Sequence, residues 1–232
     1  MTLQRQILTS RKTPVYISSN DPDVIAHFSN PTGYADTIIG EINASNFYDY
    51  ILKDAQDLTI LDLGANIGLF SLYASDIARK IYAFEPTPRH YHVLQSLTSQ
   101  YQNIHTYQIA VGSTNGIIDF YINDENSTMN SLQNMYGTKI PVQSLRLKNI
   151  LQHIGESSID FVKCDIEGSE MVALTQATLA PVADKIDCWF VEVHATSTDL
   201  FDNKDALKAI FESVGYTVQD DYRPDALFCY KQ

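Results

Sequence analysis

From residue 58 onward, the chain alternates between two patterns of hydrophobic and polar positions. Short apolar runs predict strands at 58–63, 81–85, 104–109, 159–164 and 187–193. Apolar residues at helical spacing predict helices at 68–79, 88–100, 144–154, 168–179 and 203–214. The first of these helices places on one face Ile67, Phe70, Ala74, Ile77 and Ala78. The alternation predicts an α/β fold, in which helices cover both faces of a mostly parallel, doubly wound sheet.

The alternation of predicted strands and helices is interrupted once, and the last two strands are predicted to form a hairpin. Residues 116–122 and 138–143 predict two extra strands, joined by a polar loop with the candidate lid residues Asn130, Ser131 and Tyr136. The last two predicted strands, 216–218 and 226–230, are separated by a short polar turn. Because a hairpin is antiparallel, we expect a seven-stranded sheet whose last strand runs against the others. With right-handed crossovers, the predicted order is 104–109, 81–85, 58–63, 159–164, 187–193, 226–230, 216–218.

Residues 1–57 are the least regular part of the chain. Val15-Tyr16-Ile17 predicts a short strand, and a helix within 41–52 would turn Phe47, Tyr50 and Ile51 inward. We therefore interpret residues 1–57 as an N-terminal extension and candidate substrate lid. Residues 58–232 form the predicted catalytic domain.

The turn after the strand 58–63 carries the most informative chemistry. The strand passes through Asp62, and the chain then turns as Gly64-Ala65-Asn66-Ile67-Gly68. Gly64 allows a ligand to approach the backbone, and the helix beyond it begins with unpaired N–H groups. The next strand ends at Glu85-Pro86, about twenty residues after the glycines, the spacing at which a carboxylate reaches a ribose diol. The three-glycine fingerprint of a dinucleotide site is missing, which argues against a nicotinamide-dependent oxidoreductase.

The amino-acid composition limits the kinds of partner that the protein is expected to bind. The chain has 16 basic and 28 acidic residues, a net charge of −12, with 44% hydrophobic residues. This charge repels phosphate backbones and anionic lipids, so we expect neither nucleic acid nor a membrane surface as a partner. Cys164, Cys188 and Cys229 lie in apolar runs without zinc-site spacing. With no signal-peptide pattern at the N-terminus, these features favour a cytoplasmic protein.

A third segment, Ile159-Asp160-Phe161-Val162-Lys163-Cys164-Asp165-Ile166-Glu167-Gly168-Ser169-Glu170, completes a set of motifs. Together with Asp62–Gly68 and Phe84-Glu85-Pro86, it closely resembles the FkbM family of class I methyltransferases, which use S-adenosylmethionine and have a Rossmann-like fold. Further segments that resemble the family are Ala110-Val111-Gly112, Asn130-Ser131-Leu132 and Val191-Glu192-Val193-His194. The resemblance covers roughly 58–195.

The resemblance implies a methyl donor at the carboxyl ends of the strands. The Gly64–Gly68 turn would pass beneath its methionine portion, and Glu85 would accept hydrogen bonds from both ribose hydroxyls. Asp62 would hold either the turn or the donor's ammonium group, and Ala110 and Val111 would line the adenine. The predicted donor-binding residues are Asp62, Gly64, Ala65, Asn66, Gly68, Glu85, Pro86, Ala110, Val111 and Asp165.

The acceptor side would lie where the strand 159–164 ends. Candidate catalytic residues there are Lys163, Asp165, Glu192 and His194. Three interpretations stay open: His194 or Asp165 acts as general base, Asp165, Glu192 and His194 hold a divalent cation, or Glu167 and Glu170 only favour a helix N-terminus. We expect the metal-free version, with Lys163 paired to Asp165 and His194 as base.

The predicted function is O-methylation of a hydroxyl group on a small-molecule or glycan acceptor, because a weakly acidic alcohol needs a base of this kind. The alternatives are N-methylation, or a non-catalytic protein of the same fold that binds the donor or a partner. The sequence leaves open the identity of the acceptor and the oligomeric state.

Overall fold

The computed structural model of the protein describes residues 3–8, 15–29, 35, 39–40, 42, 47–52, 54–122, 137–195 and 200–232. Its central sheet has seven strands in the order Thr217–Gln219 (β11), Ala226–Tyr230 (β12), Ile186–Glu192 (β10), Ile159–Cys164 (β9), Leu58–Leu63 (β3), Ala78–Phe84 (β4) and Ile104–Tyr107 (β5). β12 is antiparallel to both of its neighbours, and the other pairs are parallel. The predicted fold class and strand order are confirmed.

Helices lie along both faces of this sheet. They span Pro22–Phe28 (α1), Phe47–Leu52 (α2), Leu69–Ala74 (α3), Pro88–Thr98 (α4), Leu147–Ile154 (α5), Glu170–Ala173 (α6), Gln176–Leu179 (α7) and Leu200–Ser213 (α8). Successive residues of a central strand enter opposite hydrophobic clusters: Ile60 packs on the α2 and α3 side, whereas Leu61 packs on the α5 side. Both faces of the sheet are therefore buried, as a doubly wound fold requires.

The helix predicted at 68–79 is wrong in its second half. α3 ends at Ala74; Ile77 is buried in a turn, with its N–H donating to the Ala74 carbonyl, and Ala78 begins β4. The side-chain amide of Asn103 donates to the carbonyls of Ser75 and Ala78, both at 2.8 Å, and holds this turn. A contact from so far along the chain cannot be read from the helical pattern.

The helix predicted at 168–179 is split into α6 and α7. Thr175 is extended between them and caps α7, because its side chain accepts the N–H of Thr178 while the Thr178 hydroxyl accepts the N–H of Thr175. Threonine favours such a cap over a helix interior, since its side chain competes for backbone hydrogen bonds.

A smaller sheet interrupts the alternation, as predicted. It contains Ala110–Val111 (β6), Gly116–Ile122 (β7) and Thr138–Leu145 (β8), in the order β6-β8-β7. The candidate lid residues Asn130, Ser131 and Tyr136 lie outside the described residues. The position of β6 and β7 matters for function, because both contribute residues to the cavity described below.

Residues before position 58 contribute to the main hydrophobic core. Leu3–Leu8 (β1) and Val15–Ser19 (β2) form a hairpin, and Asp21 caps α1 by accepting the N–H of Asp23 at 2.9 Å. Tyr48 and Leu52 of α2 share a cluster with Ile60, Phe161 and Phe190. None of the helices in the described part of the chain combines the length and apolar character needed to cross a bilayer.

Candidate active site

The loops that follow β3 and β9 touch each other at the carboxyl edge of the sheet. The N–H of Asp165 donates to the Leu63 carbonyl at 3.0 Å, and Gly64 lies directly against the backbone of Asp165. A Cβ atom on Gly64 would come within 1.8 Å of the Asp165 carbonyl oxygen, and the residue has a φ of +78°. Only glycine fits here without displacing the second loop.

Gly68, at the start of α3, also has a positive φ, but an added Cβ there would meet the end of a side chain and not backbone. Its φ is +88°, and an added Cβ would lie 2.5 Å from Cδ1 of Leu94 on α4. The N–H of Ala65 donates to the Phe84 carbonyl, as does that of Gly64, and Ala65 packs against Leu94. The glycine turn therefore packs between β4 and α4.

Glu85 connects this turn to the beginning of α4. Its Oε2 atom accepts the N–H of Asn66 at 2.9 Å, and its Oε1 atom accepts the N–H of Thr87 at 2.8 Å. Burial raises the pKa of Glu85 and outweighs these hydrogen bonds, which act in the opposite direction. The carboxylate is fixed by two backbone groups, while each of its oxygens has further lone pairs to offer a ligand.

A cavity opens beside Glu85, and the space between its walls, including solvent at its mouth, is about 480 Å³. Seven of the ten predicted donor-binding residues line it: Gly64, Asn66, Glu85, Pro86, Ala110, Val111 and Asp165. The remaining lining residues are Thr87, His90, Phe120, Ile166, Glu167 and Ser169. Ala65 and Gly68 instead shape the turn from beneath. The cavity has a polar end at Glu85 and an apolar wall of small residues at Ala110 and Val111, a combination that suits a nucleoside.

Asp62 is fully buried behind the turn. Its Oδ2 atom accepts the Ser71 hydroxyl at 2.6 Å, whereas Oδ1 has no hydrogen-bond partner and lies 3.8 Å from the Lys163 Nζ atom. Burial raises the pKa of Asp62, and Lys163 opposes this effect. Of the two expected roles, the bond to Ser71 favours that of holding the turn against α3.

Lys163 occupies the centre of the strand ends as a buried cation. Its Nζ atom donates to Oδ2 of Asp165 at 3.0 Å and to the Gly64 carbonyl at 3.1 Å. Burial alone would lower the pKa of Lys163, but Asp165 and Asp62 raise it well above its ordinary value. Burial would likewise raise the pKa of Asp165, yet Lys163 and His194 hold it below its ordinary value. The pair predicted from the sequence is therefore formed, and both groups are ionised at neutral pH.

His194 lies among three carboxylates. Its Nδ1 atom is 3.1 Å from Oε1 of Glu170, and its Nε2 atom is 3.4 Å from Glu167 and 3.8 Å from Asp165. Burial opposes protonation, but the bond to Glu170 and the other carboxylates raise the pKa of His194 to about 10. Because the neighbouring carboxylates favour imidazolium, this arrangement argues against the predicted role of His194 as general base.

Glu170 has a more specific role than a general preference for a helix N-terminus. Besides His194, its Oε1 atom accepts the N–H groups of Ile166 and Gly168, both at 3.2 Å. The side chain is 1% exposed. Glu170 therefore shapes the loop that presents Asp165 and Glu167 to the cavity.

Glu192 is turned toward the terminal hairpin. Its Oε1 atom accepts a hydrogen bond from Arg223 at 3.2 Å, and Arg223 also donates to Asp225. Burial and Asp165 raise the pKa of Glu192 to about 7, with Arg223 acting in the opposite direction. Among the described residues, the atoms close enough to share a cation near Asp165 come from Asp165, Glu167 and His194. Glu192, which the alternative interpretation included in such a set, is not part of this group and instead binds Arg223.

Comparison with known proteins shows which family the chain belongs to. Residues 62–218 match the model of the methyltransferase FkbM domain, which covers more than half of the chain. The chain belongs to the FkbM methyltransferase family. The methyltransferase sdnD of Sordaria araneosa is 28% identical over 190 residues, which span 66% of this chain and 73% of that protein.

Two solved structures are similar to this FkbM methyltransferase. The precorrin-6y C5,15-methyltransferase of Geobacter metallireducens is 12% identical, with a TM-score of 0.50 over 82% of this chain and 89% of that chain. A fibrillarin of Aeropyrum pernix, solved with natively bound S-adenosyl-L-methionine, is 17% identical with a TM-score of 0.45. That match covers 76% of this chain and 66% of the fibrillarin chain. The first similarity is one of fold, in agreement with the doubly wound sheet.

Several residues of the FkbM site escaped the sequence analysis. His90 and Phe120 line the cavity, and Ser71 and Arg223 bind the carboxylates of Asp62 and Glu192. Tyr48 packs its ring 5.4 Å from that of Phe190, the residue paired with Lys163 across β10 and β9. For His90, its place in the first turn after Glu85-Pro86 was an available signal. For Arg223 and Tyr48 no local pattern indicates proximity to the site.

Proposed function

We propose that the protein is an S-adenosylmethionine-dependent O-methyltransferase that acts on a hydroxyl group of a small-molecule or glycan acceptor. The observation that carries the proposal is Glu85, a buried carboxylate that is fixed by the N–H groups of Asn66 and Thr87 at one end of the cavity. A fixed bidentate acceptor matches a ribose diol. Family membership supports the donor, which when bound supplies an electrophilic methyl group on a sulfonium.

The cradle around Gly64 fits that donor. The backbone at Gly64 lies against the second loop with no room for a Cβ, so that the turn offers main-chain groups to the cavity instead of side chains. Small residues at Ala110 and Val111 leave space for a flat base. These residues would bind and orient the donor. Most of the catalysis of an in-line displacement arises from the positioning of the reacting groups.

On the acceptor side, we assign the orienting role to Asp165. Its Oδ1 atom is buried without a hydrogen-bond partner, and Lys163 keeps the carboxylate ionised. Oδ1 would accept the hydrogen bond of the acceptor hydroxyl and direct its oxygen toward the methyl group. Glu167, the neighbouring acid of the cavity wall, would take up the proton in its ionised form; burial and Asp165 raise its pKa to about 8, which makes this carboxylate a stronger base than an ordinary glutamate.

His194 then has a supporting role in place of the expected one. As an imidazolium between Glu170 and Glu167, it has no lone pair for a proton from the acceptor. It would hold Glu167 in position and stabilise negative charge as the hydroxyl proton leaves. This is a metal-free version of the site.

Titration calorimetry with S-adenosylmethionine, S-adenosylhomocysteine and NAD tests the donor assignment. We expect binding of the first two and none of NAD; the reverse result would contradict a methyltransferase function. Incubation of metabolite extracts with methyl-deuterated donor, followed by mass spectrometry, tests the transfer. A labelled ether supports the proposal, a labelled amine indicates N-methylation, and donor binding without any labelled product indicates a non-catalytic protein.

A further inference from the structure

His90 is the buried imidazole of the cavity wall, and no role has been assigned to it above. It lies in the first turn of α4, five residues after Glu85, and is 4% exposed. It lines the cavity together with Glu85 and Thr87, and its Nδ1 atom is 3.9 Å from Oε1 of Glu85. This places the ring at the polar end of the cavity, where the proposed function puts the ribose.

The N-terminal helix α1 holds this imidazole in place from the other side. The ring of His27 meets that of His90 edge to face, with the centroids 6.0 Å apart. On either side of His90 along α4, His92 pairs with Asp21 at 2.9 Å and Arg89 approaches Asp23 at 4.0 Å. The ring of His90 is thus packed between α1 and the cavity, and it cannot turn away without displacing α1.

The charge of His90 suits a binding role. Burial lowers its pKa to about 4, and the nearby His27 and Arg89 act in the same direction. The ring is therefore neutral at pH 7 and combines one N–H donor with one acceptor nitrogen. A ribose hydroxyl is also both donor and acceptor, so that a neutral imidazole can bond to a hydroxyl that already donates to Glu85.

We propose that His90 is a donor-binding residue, which forms the cavity wall beside Glu85 and hydrogen-bonds to a ribose hydroxyl of bound S-adenosylmethionine. This inference rests on the proposed function, because it takes the cavity to be the nucleoside site. It also gives the N-terminal segment a part in donor binding, through the packing of α1 against His90.

The first test compares the affinity of variants for S-adenosylhomocysteine by titration calorimetry at pH 7.5. His90→Phe keeps a ring of similar shape but no polar atom, and we expect about tenfold weaker binding, the upper range for one hydrogen bond. His90→Gln retains a donor and an acceptor and should recover part of that loss. His153→Gln, at an exposed histidine of α5 that does not line the cavity, is the control and should bind within twofold of the wild type.

The second test separates a direct bond from a merely structural effect. Adenosine, 2′-deoxyadenosine and 3′-deoxyadenosine are titrated into the wild type and into His90→Phe. Removal of the contacted hydroxyl should weaken binding to the wild type more than binding to His90→Phe, because the variant loses only the bond of that hydroxyl to Glu85. A purely structural change would lower the affinity for all three nucleosides by the same factor, and would overturn the inference.

The outcomes distinguish this inference from the proposed function. If the wild type binds S-adenosylhomocysteine and both His90 variants bind it within twofold, the role of His90 is refuted and the donor assignment stands. If the wild type binds none of these nucleosides, the donor assignment fails and the inference fails with it. Melting temperatures of both variants show whether a loss of affinity reflects unfolding.

Discussion

The Nζ atom of Lys163 lies 3.0 Å from Oδ2 of Asp165, two residues further along the chain, and 3.8 Å from Oδ1 of Asp62 on the adjacent strand. One buried cation thus lies between the acids of two adjacent parallel strands. It also binds the carbonyl of Gly64, so the same side chain ties the glycine turn to the loop that carries the acceptor-side acids.

Replacement of this cation should cost far more than replacement of a surface lysine. Lys163→Met leaves Asp62 and Asp165 buried and uncompensated, and we expect a loss of about 3–5 kcal/mol in the free energy of unfolding, measured in urea. Lys80→Met removes the more exposed partner of Glu156 and serves as control, with a much smaller expected loss. Adding Asp165→Asn to Lys163→Met should restore part of the stability. Equal losses for both lysines would contradict the central role of Lys163.

Glu85 should dominate the affinity for the donor. Glu85→Ala removes the charged acceptor of two ribose hydroxyls, and the expected loss in binding of S-adenosylhomocysteine is about 1.5–3 kcal/mol. Glu156→Ala removes an acid outside the cavity, where it binds Lys80 and Tyr82, and should leave the affinity unchanged. Calorimetry on folded variants decides the matter; an unchanged affinity in Glu85→Ala would mean that the ribose is held elsewhere.

Gly64 and Gly155 provide a matched pair for the requirement of close backbone contact. Both have positive φ, +78° and +73°, but a Cβ on Gly155 would meet nothing within 4 Å. Gly155→Ala should therefore cost only the backbone strain, about 1–2 kcal/mol. Gly64→Ala adds the clash with Asp165 and should cost about 3 kcal/mol or more and abolish binding of S-adenosylhomocysteine. Similar unfolding curves for the two variants would refute this account.

His90 should make the stability of the protein depend on pH in the mildly acidic range. The unfolded chain takes up the proton near the ordinary pKa of about 6.5, whereas the native protein takes it up near 4. The native state therefore loses stability as the pH falls through this interval, by about 3 kcal/mol in total, and keeps it above pH 6.5. Urea unfolding at pH 7, 6, 5 and 4.5 should show a steeper decline for the wild type than for His90→Gln. Parallel declines would mean that other groups account for the effect.

Seven of the ten residues predicted to bind the donor line one cavity, and the sequence could group them because they lie in short local motifs. Asp62 to Gly68 and Glu85-Pro86 directly follow adjacent parallel strands, and the carboxyl ends of such strands meet at one edge. The pairing of Lys163 with Asp165 followed in the same way, because alternate residues of a strand share a face. Strand order followed from the alternation and the terminal hairpin.

The arrangement around Glu192 and His194 depends on contacts between distant segments of the chain. The hydrophobic pattern of the sequence does not indicate such contacts. Arg223 reaches Glu192 from the turn of the hairpin, and Tyr48 reaches Phe190 from α2. The charge of His194 depends on Glu167, in the loop before α6, and on Glu170, the first residue of α6. The predicted length of α3 was wrong for a similar reason. The side chain of Asn103, which follows α4 along the chain, binds the carbonyl of Ser75 where α3 ends.

The shared hydrophobic cluster of Tyr48, Leu52 and Phe190 has a consequence for exchange of segments between relatives. A chimera that receives residues 1–57 from another family member would bring a foreign α2 against Phe70 and Phe190, and a foreign α1 against α4. The grafted segment would have to match the residues of the sheet and helices that it contacts. Exchange of residues 1–57 between relatives would therefore require paired changes in the two contacting segments.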